Sequence, residues 1–258
     1  MVAGILDWKT LRHWMLDFNL STTSVVLHNQ TILKDSDHKE KVDRDQKTFV
    51  IFGVPRGGTT MVARVVGHLG VYLGDDLQAN YEDHDFNFDI MPNEFKQDKQ
   101  KLLTRLSGTV DSRNKKFTTW GWKYPRAMLY LPQLIDKLRN PHFICVTRDP
   151  VASAMRSISK VQKRYLRSLK KGAKSMTYEP AFVQKIIKQH LAIQQGNIQF
   201  IDDSKVPAFI CSYEKAVANS VEFVNELAGF LALPCTSMRI NDALTQIQPG
   251  GYIQDGIQ

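Results

Sequence analysis

Three short apolar runs, rich in β-branched and aromatic residues, recur along the chain: Thr48–Gly53 (TFVIFG), His142–Thr147 (HFICVT) and Ala208–Ser212 (AFICS). Each is shorter than a helix and lacks polar–apolar alternation, the pattern of a strand buried on both faces of a parallel sheet. Between and after them the apolar positions recur every three or four residues, which predicts helices over Thr60–Leu69, Leu129–Leu138, Val151–Leu169, Phe182–Phe200 and Val221–Leu233. Trp8, Leu11, Met15 and Phe18 have the same spacing and predict an amphipathic helix near the start. A mixed-charge stretch, Lys34–Lys47, follows and reads as a solvated linker. Strands alternating with helices predict an α/β protein with a parallel β-sheet flanked by helices. Residues 48–258 form that single domain, and residues 1–47 are a helix and charged linker packing on its core. Ligands of such sheets bind beyond the carboxyl ends of the strands, so Gly53, Thr147 and Ser212 are where chemistry is expected.

Composition narrows the class. The chain has 258 residues, 43% hydrophobic and 23% charged, which excludes a disordered or fibrous protein. Its 34 Lys and Arg against 26 Asp and Glu give a net charge of +8 and favour an anionic ligand. Cys145, Cys211 and Cys235 lie far apart with no paired spacing, so a disulfide framework and a zinc ribbon are excluded. No run of about 18 apolar residues is present to span a membrane, and the start lacks the charge-then-apolar order of a signal peptide. A reducing, cytoplasmic location is expected.

The first strand runs into GVPRGGTTM (Gly53–Met61) and then a helix. A glycine-rich turn at a helix N-terminus gathers several backbone N–H groups at the positive end of the dipole, where an anion, usually phosphate, is favoured. Gly57 and Gly58 let the backbone close around it, Thr59 and Thr60 supply hydroxyls, and Arg56 supplies fixed charge. The nucleotide-binding P-loop would have its phosphate lysine where Thr59 stands. The segment PRGGTT resembles instead the 5′-phosphosulfate loop of sulfotransferases that use 3′-phosphoadenosine-5′-phosphosulfate (PAPS), which reads Pro-Lys/Arg-x-Gly-Thr-Ser/Thr. The resemblance implies a P-loop-NTPase-like sulfotransferase fold. It gives Arg56 the contact to the 5′-phosphate and sulfonate, with Gly57, Gly58, Thr59 and Thr60 as the cradle.

The second strand ends in Arg148-Asp149-Pro150, and a guanidinium at that edge offers a planar fork to a phosphate. The arrangement resembles the family's 3′-phosphate motif, an arginine after the strand with a serine eight residues on. Here the eighth residue is Arg156 and the serine, Ser157, comes one later. Either Arg156 takes over the contact or a shifted helix start leaves it to Ser157. The segment Trp120–Pro132 carries one lysine among aromatics, and similar Gly-x-Lys-x-Pro segments in bacterial and glycan sulfotransferases put that lysine, here Lys123, near the sulfonate. After the first helix, NYEDHDFNF (Asn80–Phe88) is a polar loop. In related bacterial enzymes an acidic residue at that point is general base on the acceptor hydroxyl, which implies Glu82, with His84 as helper or alternate. Sequential ligands such as Asp83, His84 and Asp85 rarely converge on a metal, and none is expected.

Tyr213 and Glu214, after the third strand, read as structural. QPGGY (Gln248–Tyr252) sits where the family often closes a loop over the nucleotide, and Lys160–Lys174 carries seven positive charges and no acid. The implied reaction is in-line transfer of the sulfonate from PAPS, leaving PAP, to a hydroxyl or amine of a small-molecule, lipid or glycan acceptor without a metal. Tyr81, Phe86, Phe88, Trp120 and Trp122 either make a partly apolar acceptor pocket or belong to the core. A P-loop kinase would need a lysine at position 59 and a magnesium carboxylate after a strand, and both are missing. A non-catalytic nucleotide- or nucleic-acid-binding module fits the charge, yet gives no reason for two phosphate-directed motifs on adjacent strand ends.

Overall fold

The computed structural model describes residues 25–27, 31–34, 46–75, 77, 79–168 and 179–248. The helix expected over Trp8–Phe18, residues 35–45 of the charged stretch, the QPGGY glycines and the end of the basic stretch after 168 lie outside them.

Among the described residues, six strands form one sheet in the order β1-β2-β6-β5-β3-β4. The three apolar runs are β3 (Lys47–Gly53), β5 (Pro141–Thr147) and β6 (Ala208–Ser212). With β4 (Thr119–Lys123) they make the parallel centre of the sheet, paired β6-β5-β3-β4. At the β6 edge the expected parallel sheet gains an antiparallel hairpin, β1 (Val25–Leu27) and β2 (Thr31–Lys34), with Thr31 opposite Cys211 and Lys34 opposite Ala208.

β4 lacks an apolar run because its inner residue is glycine. Trp120 and Trp122 point to one face, and a Cβ on Gly121 would lie 2.3 Å from the Phe49 carbonyl oxygen on the other. Period-two alternation does the rest. Phe49 and Ile51 of β3 pack with Ile144, Phe209, Val62, Val65, Phe223 and Leu227 on one face. Val50 and Phe52 pack with Phe143, Trp120, Trp122, Leu106 and Tyr130 on the other.

The first face is covered by α1 (Thr59–His68), which follows β3, and by α8 (Ser220–Leu231) and α9 (Ser237–Thr245) near the end of the chain. On the opposite face lie α3 (Lys99–Lys116), preceded by the short α2 (Asn93–Gln97), then α4 (Leu131–Leu134) and α6 (Pro180–Asp203). The helix expected over Leu129–Leu138 is α4 with a 3-10 turn on each side, Ala127–Leu129 and Ile135–Lys137. Helix α5 (Pro150–Ser168) leaves β5 and packs on α6, while the short α7 (Tyr213–Ala218) leaves β6. The chain thus leaves β3 for β4 on one side and returns as β5 on the other. A crevice opens where the order reverses.

Candidate functional site

The residues that follow all four parallel strands meet at that crevice. They line a cavity of about 690 Å³: Pro55, Arg56, Gly58 to Met61 and Arg64 from the β3 side, Lys123 at the end of β4 with Tyr124 to Arg126 after it, Arg148 and Arg156 after β5, and Tyr213 after β6. Asn80, Glu82, Asp89, Thr245, Gln246 and Gln248 complete the wall.

The β3–α1 loop is tight because Gly57 N–H donates to the Val54 carbonyl at 2.9 Å. Arg56 takes a left-handed backbone, φ 64°, which turns its side chain out of the loop at a strain cost few non-glycine residues bear. Gly58 has φ 96°, and a Cβ there would lie 2.1 Å from the Tyr213 ring. Only glycine satisfies both demands. No side chain caps α1, so its first N–H groups remain available to a ligand at the positive end of the helix dipole. The Thr59 methyl packs toward Gly53, and Thr60 Oγ1 donates to the Asn80 carbonyl at 3.0 Å. Its hydroxyl therefore ties the phosphate-type loop to the loop that carries Glu82.

Arg148 is 7% exposed. Its Nη1 donates to the Arg56 carbonyl at 2.8 Å, and its guanidinium lies 4.3 Å from the centroid of the Tyr213 ring. Glu214 Oε1 stands 3.6 Å from Nε and accepts the Asp149 N–H at 3.2 Å, and Gln194 Oε1 accepts the Arg148 N–H at 3.0 Å. Tyr213 accordingly shapes the cavity wall and, with Glu214, orients Arg148, a contribution that the chain order alone conceals. Two turns into α5, Arg156 reaches the cavity, whereas Ser157 turns away with its hydroxyl 3.3 Å from His190 Nε2. Burial, and then the neighbouring Arg156 and Arg148, push the Arg56 guanidinium below its ordinary value, with Glu82 opposing. Three guanidinium groups crowded in this way call for an anion between them.

Lys123 is 1% exposed at the end of β4. Its Nζ donates to Glu82 Oε1 and to the Asn80 carbonyl, both at 2.9 Å. Burial lowers its pKa and the Glu82 carboxylate raises it again. Glu82 Oε2 accepts from Asn87 Nδ2 at 2.9 Å, so both carboxylate oxygens are held. His84 is exposed and does not line the cavity. Asp83 and Asp85 both turn to Arg113 on α3, away from the cavity. Burial raises the Asp83 carboxyl against the pull of Arg113. Phe86, Trp120 and Trp122 are fully buried core residues stacked on one another, not a pocket wall.

Among the described residues, six cationic side chains line the cavity against two carboxylates, Glu82 and Asp89. Three lining residues also carry a buried polar atom without a hydrogen-bond partner: Arg64 Nε, Tyr124 Oη and Arg148 Nε. Arg64, Tyr124, Arg126 and Asp89 carry no motif. The available signal for Arg64 is its place one turn after Thr60, a lone cation on an otherwise apolar helix.

No family model matches the chain, and no curated protein matches it. Solved structures similar to it include a mouse sulfotransferase complexed with PAP, at 11% identity and a TM-score of 0.46, covering 91% of this chain and 78% of that one. The sulfotransferase domain from the curacin biosynthetic pathway is similar at 14% identity and 0.48, over 79% and 78%. Retinol dehydratase in a complex with retinol and PAP is similar at 15% identity and 0.44, over 88% and 74%.

Proposed function

We propose that this protein is a PAPS-dependent sulfotransferase that transfers the sulfonate in line to an acceptor hydroxyl or amine. The observation that carries the reading is the cavity at the ends of the four parallel strands, where five arginines and an uncapped helix N-terminus surround the Lys123–Glu82 pair. A ligand with two separated anionic ends fits this wall. Arg56 and the Gly57–Thr60 backbone would hold the phosphosulfate. Arg148 and Arg156 would hold the 3′-phosphate, both lining the cavity after β5. Arg156 lines the cavity and Ser157 does not, which favours the arginine as the helical partner.

When bound, PAPS supplies the sulfonate and takes the electron pair of the broken S–O bond away as PAP. Glu82 takes the proton of the acceptor as its oxygen bonds to sulfur. It lines the cavity, while His84 stands outside, so the carboxylate is the base in this reading. Lys123, already fixed beside Glu82, places a positive charge where negative charge builds up on the transferring group. As Glu82 gains its proton, its attraction for Lys123 falls and the ammonium is freed to stabilise the leaving phosphate. The guanidinium groups and Lys123 supply the charge that a divalent ion supplies in phosphoryl transfer, so the reaction is read as metal-independent.

The test compares nucleotides. PAP at a hundred times its Kd should raise Tm by roughly 5–10 °C, and ATP, lacking the 3′-phosphate, should raise it far less. Labelled sulfonate should pass from PAPS to an alcohol in the presence of EDTA. Equal shifts from ATP and PAP, or a shift that needs Mg²⁺, would favour a kinase instead.

A further inference from the structure

The cavity wall holds one cation more than its carboxylates and a nucleotide of this kind can use. Glu82 is paired with Lys123 and Asp89 with Arg126. Arg148 and Arg156 both repel Arg56, and these three arginines are assigned above to the two phosphate ends of the nucleotide. Arg64 remains. It lies one turn beyond Thr60 on α1, where Nη2 donates to the Ala79 carbonyl at 3.3 Å and the guanidinium sits 5.3 Å from the centroid of the Tyr81 ring. Those contacts place it against the loop that carries Glu82. No carboxylate pairs with it among the described residues, and its buried Nε has no partner.

An unpaired guanidinium with an open donor is costly beside a cavity unless an anion completes it. Asn80, Asp89 and Arg126 line the same wall, with Met61, Tyr124 and Pro125 as its less polar part, and of the aromatics expected there Phe86, Trp120 and Trp122 are core. A wholly apolar acceptor would strip water from the polar groups without replacing their hydrogen bonds. Resting on the sulfotransferase reading, we propose that the acceptor is a hydrophilic molecule whose reacting hydroxyl is accompanied by an anionic group, and that Arg64 binds that group. A carboxylate and a sulfate or phosphate ester share the chemistry a guanidinium fork recognises. Arg64 is then the residue that sets acceptor specificity, without touching the sulfonate.

The experiment uses paired acceptors that differ by one charge: para-(hydroxymethyl)benzoate against its methyl ester, and p-nitrophenyl glucuronide against p-nitrophenyl glucoside. Glucose-phosphate against glucose separates a phosphate ester from a carboxylate. With labelled PAPS, kcat/KM for the charged member should exceed that for the neutral one by about 10–100-fold, the scale of one charged hydrogen-bonded contact. In Arg64→Gln the ratio should fall toward one, and Arg64→Lys should keep part of it because the charge stays and the fork is lost. Tm shifts with PAP are read on every variant. If PAP binds and the neutral members are preferred, the inference is overturned and the sulfotransferase reading stands. The inference is likewise overturned if PAP binds and Arg64→Gln leaves the ratio unchanged, or if PAP binds and no charged probe is turned over. If PAP does not bind the wild-type protein, the sulfotransferase reading falls and the inference with it.

Discussion

At the scale of single residues, the Lys123–Glu82 pair joins stability to chemistry. Lys123 is almost wholly buried, so its ammonium depends on the carboxylate beside it. Glu82→Gln keeps the shape of the side chain and one acceptor but loses the charge. In the proposed role kcat on an alcohol acceptor should fall by roughly 10²–10⁴-fold. Unlike a substitution in a merely polar loop, it should also cost stability, about 1–3 kcal/mol at neutral pH. The pH dependence has a definite sign. Burial already sets the folded-state pKa of Lys123 below its ordinary 10.5, and Glu82 is the group that pulls it back up. Without Glu82 the folded value drops further, so over a wider pH range the unfolded chain binds the extra proton and stability rises with pH. The deficit of Glu82→Gln in urea unfolding should therefore narrow between pH 7 and 10, and parallel stability curves would contradict the coupling. The sequence made Glu82 and Lys123 legible as separate motif residues. Their contact, across 41 positions of the chain, arises only because Thr60 and Lys123 both bind the Asn80 carbonyl and draw the loop over the end of β4.

At the scale of elements, the apolar runs β3, β5 and β6 were legible because full burial demands continuous hydrophobicity. β4 and the β1–β2 hairpin were not. Gly121 breaks the apolar run of β4 to admit the Phe49 carbonyl, and β2 carries the half-buried pattern of a strand next to an edge. Lys34 shows how the hairpin is anchored, since its Nζ reaches the Ile201, Asp202 and Ser204 carbonyls at the C-terminal end of α6, the last two at 2.9 and 2.6 Å. A cation there satisfies carbonyls with no helical partner and meets the negative end of the dipole. Lys34→Met should lower the urea midpoint by an amount worth about 1–3 kcal/mol, with m unchanged; a neutral result would mean that solvent serves these carbonyls equally well. Helix α5 offers a test of register. Pro150 opens it and Arg156 faces the cavity, while His190 sits between Ser153 Oγ at 2.8 Å and Ser157 Oγ at 3.3 Å. Arg156→Ala should weaken PAP binding about 10-fold or more by calorimetry, and Ser157→Ala should leave it within about two-fold. The reverse order would put the helix in the other register.

At the scale of the whole molecule, the net charge of +8 has two possible addresses, a diffuse surface or the cavity. Lys160–Lys174 reads in sequence as the densest basic stretch, yet the cavity gathers six cations from separate strand ends that no window of sequence brings together. Convergence of this kind is a property of the parallel sheet, whose carboxyl ends all open on one side. The two addresses differ in how salt acts. Charges spread over an exposed surface are screened almost completely between 0.05 and 0.5 M salt, because the Debye length falls from roughly 14 to 4 Å over that range. Contacts inside a cavity keep their short-range part, and what is lost is the long-range attraction that draws an anion in. PAP affinity should therefore fall by about 10-fold over that range and then level off, while adenosine, which has no charge, should show no trend. Arg148→Ala removes a buried contact and should shift the whole PAP curve to weaker binding, keeping most of its salt slope. Lys163→Gln with Lys170→Gln, which thins the basic stretch, should leave the curve where it is. A loss of affinity in the doubly substituted chain as large as in Arg148→Ala would assign the anion site to the basic stretch and not to the strand ends.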